Sequence, residues 1–491
     1  MLTLLLACPA ADPKPTDTGS PAINGDTLSC SADPESALRV TCTVQVDPPA
    51  SVVLVAEEIG GFGAEVRSEA TAEGALHTIV LWGLAEGAEW SVYVDGSDAP
   101  PITWETPVVV GPSGPPPFDR LAVRATTRPG VPVEGPPVWL DVACADALED
   151  GVWARFDRYG RLTAYFDPGG QTVAFSPSAD GSVLGIIDNV RLIDWHPSGA
   201  FTEDRLVAPC AEGTGPCPHH AIGEDARGLW HANAALDQGT YAPWGLPECP
   251  AKDVFVLDGL YWPDDGHAFW LADVGITPDT VGPDGERACD SAYWQGTLEP
   301  TPIDPTHLNG ADLSGDPWLL SLSALDRLIQ VDPTTGSLVQ SMSSVQPDTS
   351  DVTFAVDPSV VAHNTPGFAG QHDPRQLDGA VQLYDNLGDP TATRVLRMRT
   401  EPGLVTTEAV YTLVDDDDGT WVSPSPLVCA TKGAGAPLTN GNVLASCTQE
   451  AAVMELDQPD GTTSAGPRWF LHLDCGPEEA KGFFRPFPEE T

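Results

Sequence analysis

Over Leu38-Arg39-Val40-Thr41-Cys42-Thr43-Val44-Gln45-Val46, apolar and polar residues alternate at every position. A period of two is that of a half-buried strand, with Cys42 on its inward face. Ser51–Val55 and Trp90–Val94 predict further strands, separated by turns rich in Gly and Asp. Residues 25–108 therefore predict a small β-sandwich of immunoglobulin or fibronectin type, with Cys30 placed to staple onto Cys42.

Residues 109–117, which include Gly-Pro-Ser-Gly-Pro-Pro-Pro, carry no apolar periodicity and predict a stiff linker. Beyond it a short pattern recurs: a Gly-containing polar turn, then an apolar strand, often with a second strand behind it. It is seen from Asp157, Glu224, Asp264, Ser314, Leu377 and Asn440, and Leu328–Val339 adds a strand, a turn and a strand. Strand-only repeats of this size predict a β-propeller over residues 118–491, with about six four-stranded blades. No stretch of a dozen residues carries a helical apolar stripe, so the whole chain predicts as all-β.

Composition then narrows the function. Lys and Arg total 23 against 71 Asp and Glu, a net charge of −48, which excludes nucleic acid as a partner and disfavours anionic membrane surfaces. Hydrophobic residues make up 41% and Trp occurs 14 times, enough for a packed core despite that charge. Met1–Cys8 resembles a bacterial lipoprotein signal box with Cys8 as the lipidated residue, and the Pro/Thr/Asp-rich residues that follow, up to 24, read as its tether. The apolar stretch before Cys8 is short and lacks a positive charge; either part of the signal is missing or the resemblance is accidental. Ten further cysteines could form up to five disulfides, and no CxxC occurs, which predicts export to an oxidising compartment, periplasm or cell surface.

Candidate chemistry lies with the histidines. Three polar clusters fall just before predicted first strands: Pro218-His219-His220, Thr306-His307-Leu308-Asn309, and Gln371-His372-Asp373-Pro374-Arg375, the last followed by Tyr384-Asp385-Asn386. Taken singly, each is an ordinary loop histidine with turn-forming Asn or Asp beside it. Three at corresponding points predict a shared pocket at the mouth of the channel. Zinc or copper held by histidines of separate blades is an alternative reading, without His-x-His or His-x3-His spacing to specify it. Asp415–Asp418 reads as a solvated turn rather than an EF-hand, and no nucleophile elbow, phosphate loop or dinucleotide fingerprint is present.

The order His307-x-Asn309, Leu328-Ile-Gln-Val-Asp332, Gln371-His372-Asp373-x-Arg375, Tyr384-Asp385-Asn386 resembles that of bacterial aryl-sulfate sulfotransferases, exported six-bladed propellers preceded by a small β-sandwich. His219-His220 looks like that family's His-His-Asp element, with Ala221 in place of Asp. The resemblance implies transfer of a sulfuryl group from an aryl sulfate to a phenol, with no nucleotide donor or other cofactor and no metal. His372 would be the nucleophile, forming a sulfohistidine. His307 and Asn309 would hold the sulfuryl oxygens, and His220, with His219, would complete the pocket. Gln371 and Arg375 would serve the substrate. Ser323 stands where the family has an arginine, and Arg327 and Arg375 are the nearby replacements. Loss of that guanidinium makes a non-catalytic propeller that binds a ligand or partner the rival expectation.

Overall fold

A computed structural model describes residues 27–144, 151–178, 180–207, 217–237, 255–281, 303–357, 360, 367–415, 421, 425–430, 432–448, 451–458, 467–475 and 487–488. The signal-like segment with Cys8, and Asp416–Asp418, lie outside them. The regular structure of the described residues is almost entirely strand; beside it stand the single α-helical turn Pro278–Val281 and three short 3-10 turns. None of their helices is long and apolar enough to cross a membrane. The chain divides into two compact units, Met1–Pro107 and Val108–Thr491.

In the first unit, Thr27–Ala32, Val40–Ala50 and Gly74–Leu81 form one antiparallel sheet; Glu65–Arg67, Leu54–Glu58, Glu89–Val94 and Ile102–Glu105 form another. The alternation read from sequence is realised: Val40, Cys42, Val44 and Val46 are buried and join Leu54, Trp90 and Val92 in one core. Cys30 and Cys42 face each other in register and are disulfide-bonded.

The second unit is a succession of antiparallel sheets in chain order. The first comprises Val138–Val142, Val152–Phe156 and Leu162–Phe166, with Phe487–Pro488 added from the far end of the chain. The second comprises Thr172–Pro177, Val183–Ile187, Arg191–Trp195 and Thr202–Leu206; the third Cys217–Asp225, Gly228–Asp237, Phe255–Trp262 and His267–Trp270. The fourth runs Leu308–Asp312, Trp318–Leu322, Arg327–Val331 and Leu338–Ser343. The fifth runs His372–Leu377, Ala380–Asp385, Arg394–Glu401 and Leu404–Thr412, edged by Thr353–Val356 in parallel. The sixth runs Gly435–Pro437, Val443–Cys447, Ala452–Leu456 and Pro467–Asp474, and Ala122–Thr127 pairs with its last strand. Successive four-stranded antiparallel sheets are the β-propeller pattern.

Each sheet packs on the next. Trp153 of the first stacks on Phe175 of the second, and Ile222 of the third shares a core with Val173 and Ile186 of the second. Leu260 and Leu320 join the third to the fourth, Leu319 and Leu383 the fourth to the fifth, and Tyr384 and Met454 the fifth to the sixth. The sixth returns to the first: Trp469 Nε1 donates to the Arg158 carbonyl at 2.7 Å, and the Arg158 guanidinium lies over the Trp469 ring and 3.0 Å from Glu455. Because sheets are covered on both faces, central strands such as Val152–Phe156, Val183–Ile187 and Val443–Cys447 are buried at every position. Such strands show no alternation in sequence.

One expectation is corrected. The recurring Gly turn does not mark one blade per copy: the Asp157 copy is the second hairpin of the first sheet, and the Asp264 copy is the last hairpin of the third. Any tight hairpin requires the same Gly/Asp turn chemistry, so the signature counts hairpins rather than sheets. The Pro-rich stretch 109–117 is a run of turns and bends at the start of the second unit. Gly111 N donates to the Phe118 carbonyl at 2.8 Å, and Phe118 is buried with its ring 5.3 Å from that of Tyr165 in the first sheet.

The disulfides among the described residues are Cys30–Cys42, Cys144–Cys475 and Cys429–Cys447, and Cys217 is disulfide-bonded as well. Such usage fits an oxidising, exported compartment. Cys144–Cys475 spans 331 residues and ties the first sheet to the end of the sixth. By the loop-closure argument it restrains the unfolded chain strongly. Replacing both cysteines by serine is expected to lower unfolding stability by about 3–5 kcal/mol, read from urea denaturation of the two proteins under oxidising conditions.

Candidate active site

The three histidine clusters lie at corresponding points of three adjacent sheets. His219 and His220 are in the first strand of the third sheet, His307 directly precedes that of the fourth, and His372 opens that of the fifth. Each of these strands breaks register near its start: between His219 and Ile222, Leu308 and Gly310, and His372 and Arg375. Bulges of this kind re-aim side chains. His220 (φ 49°), His307 (φ 47°), Asp373 (φ 46°) and Lys432 (φ 60°) are all left-handed non-glycine residues, one at the entry to each of four consecutive sheets. Each costs on the order of 1–3 kcal/mol, and such strain clusters at functional sites. The strands also approach closely: a Cβ on Gly310 would lie 2.5 Å from Pro374 Cδ, so only glycine brings the fourth and fifth sheets together here.

His219, His220 and His307 form one contact set. His219 Nδ1 and His220 Nδ1 are 3.0 Å apart, and the His220 and His307 rings meet edge to face with centroids 4.6 Å apart. Two carboxylates back this set. Asp258, fully buried, lies 3.3 Å from His219 Nε2 and accepts from Thr306 Oγ1 and, at 2.9 Å, from the Leu308 amide. Asp304 Oδ2 is 2.7 Å from His307 Nδ1, while its Oδ1 accepts from the His307 amide at 2.8 Å.

Burial pulls the His307 pKa down, but the charge and hydrogen bond of Asp304, with a contribution from Asp258, outweigh it, and the net shift is upward. A raised folded-state value means that protonated His307 stabilises the fold fully below the ordinary histidine pKa of about 6.5. That stability is lost as pH rises through the folded value. Asp304→Asn removes the pull and leaves burial in place, so the His307 titration is expected to fall below that ordinary value, measured by NMR of the imidazole. His231, fully buried one strand away, shows the opposite case: burial, opposed by its bond to the Ala232 carbonyl, lowers it to about 4.

A separate set of bonds orients His372. Its Nδ1 lies 2.8 Å from Asn386 Oδ1 and 3.0 Å from the Gly370 carbonyl. Asn386 Nδ2 donates to the carbonyls of Cys429 at 2.6 Å and Lys432 at 2.8 Å, which fixes the amide with its oxygen toward the histidine. Facing two acceptors, Nδ1 carries the proton, and Nε2 carries the lone pair. This is the arrangement of a nucleophilic imidazole.

Asn309 and Gln371 are placed differently from the sequence expectation. Asn309 Nδ2 donates to the Gln371 carbonyl at 2.7 Å and its Oδ1 accepts from Ser321; Gln371 Nε2 bonds Ser321 and the carbonyls of Leu322 and Arg327. Both side chains are fully buried, so they brace the strand that carries His372 rather than face a substrate. Ser323 bonds the His307 carbonyl, and Arg327 points its Nη2 to Gln346 and Thr349, away from the role of the absent arginine.

Arg375 pairs with Asp373 at 3.1 Å and lines a cavity of about 390 Å³ bordered by the first strands of the second to sixth sheets. Its walls, which include Ala221, Glu224, Trp230, Asp312 and Pro374, begin one residue past His220 and His372. Its size and mixed lining suit a small aromatic molecule. Among the described residues no three His, Cys, Asp or Glu side chains gather as a metal-ligand set.

Lys432 was not among the sequence candidates. It is half-buried at the entry to the sixth sheet, and burial lowers its ammonium pKa to about 8, against an upward pull from Asp141. The available signal was compositional: a lone lysine before Gly-Ala-Gly in a chain with four lysines.

No protein-family model matches the chain, and no curated protein matches it. Among solved structures, hydrazine synthase of Kuenenia stuttgartiensis is 10% identical with a TM-score of 0.32, over 62% of this chain and 70% of that one. YCF48 bound to D1 peptide is 10% identical at 0.27, over 90% and 98%. The quinohemoprotein alcohol dehydrogenase of Comamonas testosteroni is 14% identical at 0.27, over 75% and 60%. Likenesses of this size say nothing about activity.

Proposed function

We propose that this protein is an exported sulfotransferase of the aryl-sulfate type, built as a β-sandwich followed by a six-bladed β-propeller. The propeller reading is supported by the return of the sixth sheet onto the first and by the pairing of the first strand of the second unit and of Phe487–Pro488 into those two sheets. The observation that carries the function is the setting of His372, whose Nδ1 faces the Gly370 carbonyl and Asn386 Oδ1, a placement that in the neutral imidazole puts the lone pair on Nε2.

In the first half-reaction Nε2 attacks sulfur in line, the N–S bond forms and the S–O bond to the aryl group breaks. The phenolate leaves with a proton from the His220–His307 pair, whose carboxylates Asp258 and Asp304 keep imidazolium accessible. In the second, a phenol in the adjoining cavity gives its proton back to that pair and takes the sulfuryl group, and the N–S bond breaks. Two easy displacements replace one hard one. Sulfuryl transfer, like phosphoryl transfer, needs positioning and oxygen-directed donors more than covalent chemistry.

The test is to offer p-nitrophenyl sulfate with a panel of phenols, following p-nitrophenol release and the mass of the peptide containing His372. Acceptor-dependent release with a gain of one SO3 on that peptide supports the enzyme. A second reading, a propeller that binds a ligand without turning it over, draws on Ser323 and on Arg327, whose Nη2 bonds Gln346 and Thr349. Absence of both release and adduct across the panel would leave that reading.

A further inference from the structure

We infer that the cavity bordered by the first strands is a binding site for a small organic ammonium ion of the arylalkylamine class. The inference rests on the cavity walls and stands whether or not sulfuryl transfer occurs. Three carboxylates, Glu224, Asp312 and Asp373, and a single cation, Arg375, line the cavity. Arg375 and Asp373 pair with each other at 3.1 Å, and Asp373 also accepts from the Gly435 amide. That leaves Glu224 and Asp312, neither of which has an ion-pair partner among the described residues. Glu224 accepts from the hydroxyl of Ser178, directly after the first strand of the second sheet. Asp312 accepts from the amides of Ser314 at 2.8 Å and Gln376 at 2.5 Å. All three donors are neutral, so they orient the two carboxylates without cancelling their charge. Asp194, in the second sheet, feels part of it: burial, then the charges of Asp180, Glu224 and Glu203, hold its carboxyl above its ordinary value against a bond from Ser182.

A second observation is aromatic. Trp230 lines the same cavity, is only 5% exposed, and its Nε1 has no hydrogen-bond partner among the described residues. Its register partner across the hairpin is Gly223, also in the wall, where a Cβ would lie 2.9 Å from Trp230 Cζ2 and 3.3 Å from Nε1. Glycine at that position keeps a side chain from covering the indole. Carboxylates on two adjacent sheets beside an indole attract an ammonium through both its charge and the π face. Leu313, Ile222 and Pro374 supply apolar wall for the body of the ligand. A bare metal ion fits these walls less well, since among the described residues no three His, Cys, Asp or Glu side chains gather as ligands.

Calorimetric titration of the full chain with phenethylamine, 2-phenylethanol and phenylacetate tests the assignment, with three probes of one size that carry a positive charge, no charge and a negative charge. Phenethylamine is expected to bind roughly 10-fold tighter than the alcohol, the size expected of a charge-assisted contact in a partly solvated site, and phenylacetate weakest of the three. Glu224→Gln and Asp312→Asn should each reduce that preference several-fold. Glu224→Lys, at an exposed position, brings the charged groups of the wall to equal numbers of each sign and should erase it. A thermal melt of each variant separates lost binding from lost folding. Because Asp312 also holds two amides, the two Glu224 variants carry the test if Asp312→Asn does not fold. Equal binding of amine and alcohol by the wild type, or an unchanged preference in folded Glu224→Lys, overturns the assignment. A protein that binds phenethylamine with this preference yet transfers no sulfuryl group keeps the ammonium site and loses the sulfotransferase reading; transfer to phenols without the preference does the reverse.

Discussion

Replacing His372 by alanine is expected to abolish sulfuryl transfer, with kcat down by roughly 10⁴-fold or more and the fold intact. The magnitude is that of removing a covalent nucleophile whose partners cannot substitute for it. His220 and His307 are engaged through Nδ1 by His219 and Asp304, and the proposed mechanism uses them for proton transfer rather than attack. The fold should survive because His372 is only partly buried and its two Nδ1 contacts are to groups at the strand entry. Asn386→Leu should reproduce part of the loss without touching the nucleophile. It removes the acceptor that sets the tautomer and the two donations that anchor the Cys429 and Lys432 carbonyls. Release of p-nitrophenol in single-turnover and steady-state experiments would measure both. Full activity in His372→Ala would overturn the nucleophile assignment.

The histidine clusters were legible because each is a short local motif at a strand entry, where a turn residue and a site residue share the same few positions. Their partners were not. Asp258 reaches His219 from another strand, and Asp304, only three residues before His307, is one of 71 acidic residues among which no carboxylate stands out. Asn309 and Gln371 were visible as motif members, yet nothing local distinguishes an amide that faces a ligand from one that bridges two strands; only their complete burial does. The first unit was the easier to read, since one face of each sheet is exposed and the pattern alternates from Val40 to Val46. In the second, covered central strands such as Trp318–Leu322 lose that period, and hairpin turns could be read but not assigned to sheets. The second sheet went unread for this reason: its first hairpin, at Asp180-Gly181, joins strands with little polar contrast.

Support for His372 reaches one layer deeper, to an ion pair whose disruption is the largest stability effect expected in this region. Arg394 and Asp385 are both fully buried and bonded through the Arg394 Nε at 2.9 Å and through Nη2. Asp385 Oδ1 accepts from the amides of Ala369 and Gly388 at 2.9 Å each, and Arg394 Nη2 donates to the Gly367 carbonyl at 3.1 Å. The pair thus pins the turn 367–370 that delivers His372. Arg394→Met would leave a carboxylate buried without its cation, at a cost of about 3–5 kcal/mol. Arg394→Lys keeps the charge but loses the planar fork that meets Asp385 and Gly367 together, so it should recover only part of that loss. Removing both charges, as Asp385→Leu with Arg394→Met, spares the unpaired ion but strands the Ala369 and Gly388 amides. That double variant should regain stability over Arg394→Met while remaining defective in transfer, because the turn before His372 has lost its acceptor. Urea midpoints and turnover together distinguish the two effects. An Arg394→Met protein within 1 kcal/mol of wild type, well short of the ~3 kcal/mol expected of a broken buried pair, would show that the pair does not hold this turn.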